Sequence, residues 1–400
     1  MNNRKLGIAI VGVGGAVGTT IVAGIELLKK NLIGTEGLPL ADLPGNLTKD
    51  LAAYKNIILG GWDLFAENLA KAAEEHEVLT HKQFVAVEDE LKKIKPWRAV
   101  GDKNFLANIE GENQFSQTDS HRITIEKIRK DLREFKKICD EAVVINLAST
   151  EKLADEGNEI FNSLAGFEKA LDENSKEISP AMLYAYAAIS EKIPYGNFTP
   201  SAAADIPALV EYAEKQRVPV AGKDGKTGQT MIKTALAPAF KIRALKVEGW
   251  YSTNILGNRD GLALSNADSL ASKIKTKGSV LNDILGYQVE DHIVDIRYYR
   301  PRGDNKEAWD NIDVRGFLGQ PMQIKINFLC KDSILAAPLA IEIARLLDLA
   351  KRRDSFGVQE QLSVFFKLPM SKSGKPEHAL FRQEEMLLEW LRKVDKDSPD

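Results

Sequence analysis

The segment from Leu6 to Gly18 reads LGIAIVGVGGAVG, and its pattern decides the fold. Its first half, Leu6 to Gly12, is a short and almost continuous apolar run, which is typical of a parallel strand buried on both faces. Glycines follow at once, and Val17 to Lys30 shows the apolar spacing of a helix. A strand, a glycine-rich turn and a helix in this order predict a phosphate site at the helix N-terminus.

The glycine-rich turn is one residue longer than the usual G-x-G-x-x-G, with glycines at 12, 14, 15 and 18. Gly12 permits a tight turn, and Gly14 and Gly15 let the backbone approach a pyrophosphate. The free N–H groups at the start of the helix complete the site. We therefore predict a bound dinucleotide, and the alternative is a turn kept for packing alone. The predicted contacts come from Gly12, Gly14, Gly15, Ala16 and Val17.

A carboxylate that holds the ribose hydroxyls is expected about 20 residues after such a turn. The candidate is Asp63, at the end of a second strand pattern that begins at Asn56. The segment from Asn31 to Tyr54 lacks clear periodicity, and we interpret it as an insertion that delays this carboxylate. The alternative is that Asp63 caps the next helix. A carboxylate at this position favours NAD over NADP.

Strand and helix patterns alternate through the first half of the chain and predict a doubly wound α/β fold. Further along, the strand patterns become longer, and one of them alternates cleanly between apolar and polar residues. Such strands favour an antiparallel sheet with one face open or covered by a partner. We predict a Rossmann-like domain at 1–230, completed by 333–400, and an inserted α+β domain at 231–332. The predicted strands of the second domain are Val247 to Asn254, His292 to Tyr299 and Pro321 to Leu329.

The composition excludes several classes of partner. The 400 residues are 44% hydrophobic and 28% charged, and the net charge of −3 gives no basic field to hold nucleic acid or an anionic membrane. No apolar run approaches the about 18 residues of a membrane span, and the short polar start lacks the features of a signal peptide. Cys139 and Cys330 are too few for a disulfide framework or a cysteine zinc site. We expect a cytoplasmic protein.

Composition alone singles out none of the 54 basic residues, and we consider Lys273 and Lys277 for their spacing. Four residues apart, they would share one face of a helix. Like charges on one face repel each other, an arrangement that suits an anion site or a lysine tuned for acid–base chemistry. The alternative is a solvated pair, as for most lysines.

Several segments resemble, in the same order, the characteristic stretches of the myo-inositol phosphate synthases. Gly257 to Gly261, then Leu264-Ser265, then Ser272-Lys273 with Lys277, resembles the family's L-G-N-N-D-G, L-S and S-K-x-x-x-K. The other similar segments are the Gly14-Gly15 turn, Gly60 to Asp63, Thr227 to Thr230, Gly303 to Lys306, Asp332 to Pro338 and Phe366 to Pro369. They extend across nearly the whole chain, whose length resembles the shorter archaeal and bacterial type.

The resemblance implies roles for particular residues. Lys273, Lys277, Lys306 and Lys367 would line the substrate pocket, bind the sugar phosphate and polarise its oxygens. Asp260 and Asn254 would orient the substrate or the lysines, Asp224 and Asp332 would lie beside the nicotinamide and a cation, and Ser149 would contact the cofactor. Two alternatives stay open: Asp332 as a helix N-cap and Asp260-Gly261 as a plain turn. The chain departs from the family at Arg259 and Lys223, where the family has Asn and Asp.

The resemblance also implies a reaction. NAD would oxidise carbon five of glucose 6-phosphate, carbon six would then attack the aldehyde at carbon one, and the returned hydride would give 1D-myo-inositol 3-phosphate. The second domain would be catalytic and would form a homotetramer. The need for a monovalent or divalent cation stays open. Two alternatives are an NAD-dependent dehydrogenase of another sugar phosphate and a non-catalytic NAD-binding scaffold.

Overall fold

A computed structural model describes residues 4–65, 67–106, 109–155, 157–257 and 280–393. Two sheets organise this part of the chain. The strands are β1 (Leu6–Val11), β2 (Ile57–Asp63), β3 (Trp97–Arg98), β4 (Glu141–Asn146), β5 (Tyr195–Asn197), β6 (Pro219–Gly222), β7 (Lys246–Leu256), β8 (Asp291–Tyr298), β9 (Asn305–Arg315), β10 (Pro321–Lys331) and β11 (Gly357–Val358).

The larger sheet is parallel throughout, in the order β11-β6-β5-β4-β1-β2-β3. All six residues of β1 are buried, and they alternate between two cores. Leu6, Ile8 and Ile10 join one core, whereas Ala9 and Val11 join the other. Because successive side chains of a strand point to opposite faces, a strand covered on both sides must be apolar at nearly every position. The predicted α/β fold class is confirmed.

Helices cover both faces of the parallel sheet. Those on the side of Ile8 include α1, α3, α4 and α11, and those on the side of Ala9 include α5 to α8. No helix within the described ranges is both long enough and apolar enough to cross a membrane. The helices are α1 (Ala16–Lys29), α2 (Gly45–Thr48), α3 (Leu69–His76), α4 (His81–Lys93), α5 (His121–Lys136), α6 (Leu164–Asp172), α7 (Pro180–Ser190), α8 (Pro207–Gln216), α9 (Gln229–Ile242), α10 (Val280–Leu285), α11 (Asp332–Arg352) and α12 (Leu380–Arg392).

The segment from Asn31 to Tyr54 packs onto the first core although it has little regular structure. Leu38, Leu47 and other apolar side chains of the segment are buried there. Tyr54 Oη donates to Glu342 Oε1 of α11 at 2.5 Å, which ties the end of the segment to that helix. The segment therefore delays β2 in sequence while adding to the core beside α1.

The second sheet is mixed, in the order β10-β9-β7-β8. The β9 strand pairs antiparallel with both β10 and β7, but β7 and β8 pair in parallel. The predicted all-antiparallel sheet is therefore wrong at this edge. A parallel pair needs a crossover connection, and the long stretch from β7 to β8, which includes α10, provides the length for one. The alternation of apolar and polar residues along a strand indicates that one face of the sheet is open. It does not indicate whether neighbouring strands are parallel or antiparallel.

The two faces of the second sheet differ in cover. The inner face packs against α9 and α10 through Trp250, Ile312 and Leu281, which are fully buried. The outer face leaves Ile293 49% and Leu329 63% exposed. The β9 strand was not among the predicted strands, because its inner-face positions carry charged as well as apolar residues and so lack a clean alternation.

Candidate active site

A large pocket lies at the carboxyl ends of the parallel strands, where ligands bind in open α/β sheets. Its walls include the ends of β1, β2 and β4, and they continue into β7 and β9 of the second sheet. The pocket therefore lies where the two sheets meet. The predicted site residues in its walls are Gly12, Gly15, Ala16, Val17, Asp63, Ser149, Asp224, Asn254, Lys306, Asp332 and Lys367.

Of the four remaining predicted site residues, the structure describes one, Gly14. Gly14 is not in the pocket wall, and both of its backbone polar groups bind protein side chains. Lys273, Lys277 and Asp260 lie outside the described residues. Their predicted roles therefore remain predictions from the resemblance.

Close backbone contacts explain two glycines of the turn. Gly12 has a φ of +86°, and its N–H donates to Trp62 O at 2.8 Å. A Cβ atom at Gly18 would lie 2.4 Å from Val13 O, well inside contact distance. The left-handed backbone favours glycine at position 12, and the close approach of α1 to the turn after β1 excludes a side chain at Gly18.

The N-terminus of α1 faces the pocket without a side-chain cap. Gly15 is the N-cap residue, and a glycine has no side chain with which to cap the first turn. The first turn also carries no acidic residue. Uncapped N–H groups at the positive end of a helix are a ready site for a phosphate. This end of the pocket fits the pyrophosphate of a dinucleotide.

Asp63 joins the end of β2 to the glycine-rich turn. Its Oδ2 accepts from Gly14 N at 2.8 Å, and its Oδ1 accepts from Phe65 N at 3.2 Å. The alternative role as a helix cap is wrong, because α3 begins at Leu69 and its cap is Asn68. Asp63 lines the pocket beside the turn, which is where a ribose carboxylate is expected. Its contact with ribose stays a prediction.

Two lysine–carboxylate pairs lie at the other end of the pocket. Lys306 Nζ lies 3.1 Å from Asp332 Oδ1, and Lys367 Nζ lies 2.6 Å from Asp224 Oδ1. All four side chains line the pocket. Each ammonium group is thus placed in a largely dry site by its own carboxylate, which compensates part of the cost of burying the charge. The sequence positions are distant, and only the fold brings them together.

The alternative role of Asp332 as a helix cap is wrong. Asp332 is the first residue of α11 and the N-cap is Lys331, while Ser333 N in the first turn donates to Asp304 Oδ2 at 3.2 Å. Asp332 Oδ1 instead accepts from Thr227 Oγ1 at 3.3 Å and from Lys306. The carboxylate is therefore oriented by the pocket rather than by the backbone of its own helix.

Asn254 presents a buried acceptor to the pocket. Its Nδ2 donates to Gln229 Oε1, and Gln229 Nε2 donates in turn to Thr253 O at 3.1 Å and Trp309 O at 3.2 Å. These bonds fix the orientation of both amides. Asn254 Oδ1 is left without a hydrogen-bond partner within the described part of the chain. Because buried acceptors are rarely left unsatisfied, a donor from a ligand is expected here.

Two further lysines are buried near the pocket, and sequence reasoning missed them. Burial lowers the pKa of Lys226 to about 7, and its Nζ donates to Gln383 Oε1. Burial also lowers the pKa of Lys233 to about 8, although Asp310 opposes the shift, and Lys233 Nζ lies 2.7 Å from His292 Nε2. Both flank the Thr227 to Thr230 segment, but neither lines the pocket. No sequence signal separates them from exposed lysines.

Glu151 is a further pocket residue that the sequence analysis did not identify. It follows β4 and lies 4% exposed in the pocket wall. Burial raises the pKa of Glu151 to about 7, although Ser179 and the N–H of Ala181 oppose the shift. Ala181 N donates to Glu151 Oε1 at 2.9 Å, at the start of α7. This carboxyl group changes its charge near neutral pH.

A metal site is a separate question. Within the described ranges there is no group of three or more His, Cys, Asp or Glu side chains that could hold a metal ion. Asp224 and Asp332, the two carboxylates expected beside a cation, each bind an ammonium group. The residues of the pocket therefore fit a dinucleotide, while the positive charge beside these carboxylates comes from lysine.

This fold and pocket define the class: a dinucleotide-binding α/β protein whose glycine-rich turn shares one pocket with paired lysines. A family profile described as myo-inositol-1-phosphate synthase matches residues 46–392. Inositol-3-phosphate synthase 1 of Bacteroides thetaiotaomicron is 43% identical, over 99% of this chain and 97% of that protein. The chain belongs to the myo-inositol-1-phosphate synthase family.

Solved structures agree with this assignment. The crystal structure of inositol-3-phosphate synthase from Caenorhabditis elegans has a TM-score of 0.89 and 28% identity, over 97% of this chain and 85% of that one. A myo-inositol-1-phosphate synthase-related protein from Thermotoga maritima has a TM-score of 0.81 at 24% identity, over 98% of this chain and 100% of that one. The second likeness shows the fold alone.

Proposed function

We propose that this protein converts glucose 6-phosphate to 1D-myo-inositol 3-phosphate, with NAD used and regenerated in each turnover. One observation carries the proposal. A single pocket contains both the uncapped N-terminus of α1 and the two lysine–carboxylate pairs. The family assignment supports the same reaction, because its curated relatives are inositol-3-phosphate synthases.

The cofactor end of the pocket fits NAD. The N–H groups of α1 would bind the pyrophosphate, Asp63 the ribose hydroxyls, and Ser149 would contact the cofactor near the end of β4. When bound, NAD supplies the acceptor and the donor of one hydride. Because the hydride taken from carbon five returns to it, the overall reaction is redox-neutral.

Lys306 and Lys367 act on the oxygens of the substrate. Oxidation at carbon five makes the protons at carbon six acidic, and the enolate then attacks the aldehyde at carbon one. Negative charge develops on an oxygen at each stage, and ammonium groups that are already fixed in place stabilise it without reorganisation. Asp332 and Asp224 lie within ion-pair distance of these two lysines and hold each one in position in the pocket.

One lysine must relay the proton of the carbon-five hydroxyl, and it must be neutral to accept that proton. Lys367 and Lys273 are the candidates for this relay. Lys273 and Lys277, which the resemblance places in the substrate pocket, would also bind the phosphate. Asn254 Oδ1 would accept a hydrogen bond from a substrate hydroxyl.

One assay separates the proposed reaction from its alternatives. The protein is incubated with glucose 6-phosphate and NAD, and inositol phosphate and NADH absorbance are followed together. We expect inositol phosphate with no net NADH. An ordinary sugar-phosphate dehydrogenase would release NADH in proportion to turnover, and a scaffold would yield neither product. Either result would overturn the proposal.

We propose further that the outer face of the second sheet joins copies of the chain into a homotetramer. Ile293 and Leu329 are exposed on that face, and Phe317 and Leu318 are 89% and 78% exposed at the β9–β10 turn. Apolar side chains are thus exposed at both edges of this open sheet face and at the β9–β10 turn, which favours cover by another copy of the chain. Light scattering would test it: Leu329→Lys should release smaller species, and an unchanged mass would contradict the proposal.

Two further expectations, on the domain boundaries and on the cellular compartment, belong to the same proposal. The catalytic α+β unit would span 231–332, between the two parts of the dinucleotide-binding domain at 1–230 and 333–400. The protein would work in the cytoplasm, and its two free, half-buried thiols, Cys139 and Cys330, are compatible with a reducing compartment.

A further inference from the structure

The peptide of Gly14 in the glycine-rich turn is held by side chains at both of its polar groups. Gly14 N donates to Asp63 Oδ2 at 2.8 Å. His76 Nε2 donates to Gly14 O at 2.9 Å. Because a carbonyl oxygen only accepts, the hydrogen must be on Nε2 of the imidazole. His76 is the last residue of α3, so the end of this helix is fastened to the turn.

The same helix end is fastened to the second sheet. Glu77 has a left-handed φ of 53° and ends α3. Lys331 Nζ donates to Glu77 O at 2.9 Å and to Val78 O at 2.8 Å. An ammonium group is favourable at the negative end of a helix, and its hydrogen bonds are charge-assisted.

Lys331 leads directly to the lysine end of the pocket. It is the last residue of β10, and the next residue is Asp332, which binds Lys306. In the sheet register Lys331 pairs with Asn305, the neighbour of Lys306 on β9. A short path therefore runs from Gly14 through His76 and Lys331 to Lys306. Neither His76 nor Lys331 is part of the pocket wall.

We propose that His76 and Lys331 form a strut that couples the dinucleotide turn to the position of Lys306. They are positioning residues, which act through Gly14 and through Asp332. A dinucleotide that orders the turn would fix α3, and Lys331 would pass that constraint to the Asp332–Lys306 pair. Each ligand would then tighten the binding of the other, as reciprocal linkage requires. The inference rests on the proposed function, because it takes a dinucleotide at the turn and a sugar phosphate at Lys306.

Calorimetry on the full-length protein tests the strut. The probes are NAD and glucitol 6-phosphate, which lacks the aldehyde needed for ring closure. The affinity for glucitol 6-phosphate is measured with and without saturating NAD, and the ratio of the two values is the coupling factor. We expect a factor well above 1 in the wild-type protein, and a factor close to 1 in both His76→Ala and Lys331→Met.

The size of the effect follows from the bonds removed. Loss of one hydrogen bond should weaken NAD binding to His76→Ala by about threefold to tenfold. His76→Gln and Lys331→Arg keep a donor and should retain most of the coupling. The double variant should lose no more coupling than either single variant, because the path is already broken. Lys71→Met is the matched control, since that lysine is 54% exposed on the same helix.

The outcomes separate the inference from the function on which it depends. An unchanged coupling factor in His76→Ala and Lys331→Met, or a wild-type factor of 1, would overturn the strut. A wild-type protein that does not bind NAD would overturn the proposed function instead. A merely structural role would lower thermal stability and leave the coupling factor intact. If His76→Ala fails to fold, Lys331→Met, at a half-buried position on the sheet edge, carries the same test.

Discussion

The two ends of the pocket are built by different means. The dinucleotide end is made of backbone: a turn without side chains at Gly12 and Gly18, and the uncapped N–H groups of α1. The lysine end is made of side chains whose charges are paired, Lys306 with Asp332 and Lys367 with Asp224. The backbone site is formed by one short segment, which distant residues then hold in place, whereas the paired-charge site is formed by side chains that only the whole fold brings together. The two ends should therefore respond differently to mutation.

The largest effect is expected at the lysine end. Lys306→Met removes an ammonium group from the developing oxyanion and should lower kcat by about 100-fold to 1,000-fold. Affinity for NAD, measured by calorimetry, should change by less than about threefold. The substitution breaks a single contact, the one between Lys306 and Asp332, and this contact is at the end of the strut away from the dinucleotide. Lys169→Met is the control, since that lysine is 76% exposed. If Lys306→Met lowered NAD affinity by the same factor as kcat, the two ends of the pocket would not act separately.

The second prediction concerns the cost of a buried charge. Lys367→Met removes the ammonium group that neutralises Asp224, whose side chain is only 2% exposed. We expect the free energy of unfolding to fall by about 3 kcal/mol. Adding Asp224→Asn should restore much of it, because the double variant buries no charge. Urea denaturation of the wild type, the two single variants and the double variant completes a double-mutant cycle. Strictly additive losses of unfolding free energy would contradict a charge-based cause.

The third prediction uses pH at Glu151. The raised pKa of about 7 means that the folded protein binds this proton more tightly than the unfolded chain does. The stabilisation is therefore fully present below 4.5, the ordinary pKa of a glutamate, and is lost as pH rises through 7. Glu151→Gln should be more stable than wild type at pH 8, by roughly 2–3 kcal/mol.

The same stability difference between Glu151→Gln and wild type, measured in acid, makes the pH prediction specific. Near pH 4 the carboxyl group is neutral in both states, so the advantage of Glu151→Gln should nearly vanish. Thermal melts at the two pH values provide the measurement. A stability difference that stays the same at both would show that the effect comes from packing and not from charge.

The smallest effects are expected at the backbone end, where two glycines of α1 form a matched pair. A Cβ at Gly18 would collide with Val13 O, so Gly18→Ala should cost about 1–3 kcal/mol and weaken NAD binding. A Cβ at Gly24 would meet no atom of the described residues within 4 Å, so Gly24→Ala should stabilise the helix by about 0.5–1 kcal/mol. Equal effects of the two substitutions in urea denaturation would rule out the close strand–helix approach as the cause.

The sequence by itself determined the local parts of this protein. The β1–turn–α1 unit followed from an apolar run and a glycine cluster, and Asp63 was identified as the carboxylate at the end of β2. Such signals are readable because residues near in sequence make the structure, and their periodicity reports which face is buried. Lys306, Lys367 and their carboxylates were named from family resemblance, since nothing local distinguishes them from other charged residues.

Only the tertiary structure decided which charged side chains pair and which of them are buried. Lys367 and Asp224 are 143 positions apart, and no periodic pattern could join them. The burial of Lys226, Lys233 and Glu151, the parallel pairing of β7 with β8, and the contact of His76 with Gly14 depend equally on distant segments. A pKa or a hydrogen bond of this kind depends on which segments surround the group, and that is fixed when the two sheets pack around one pocket.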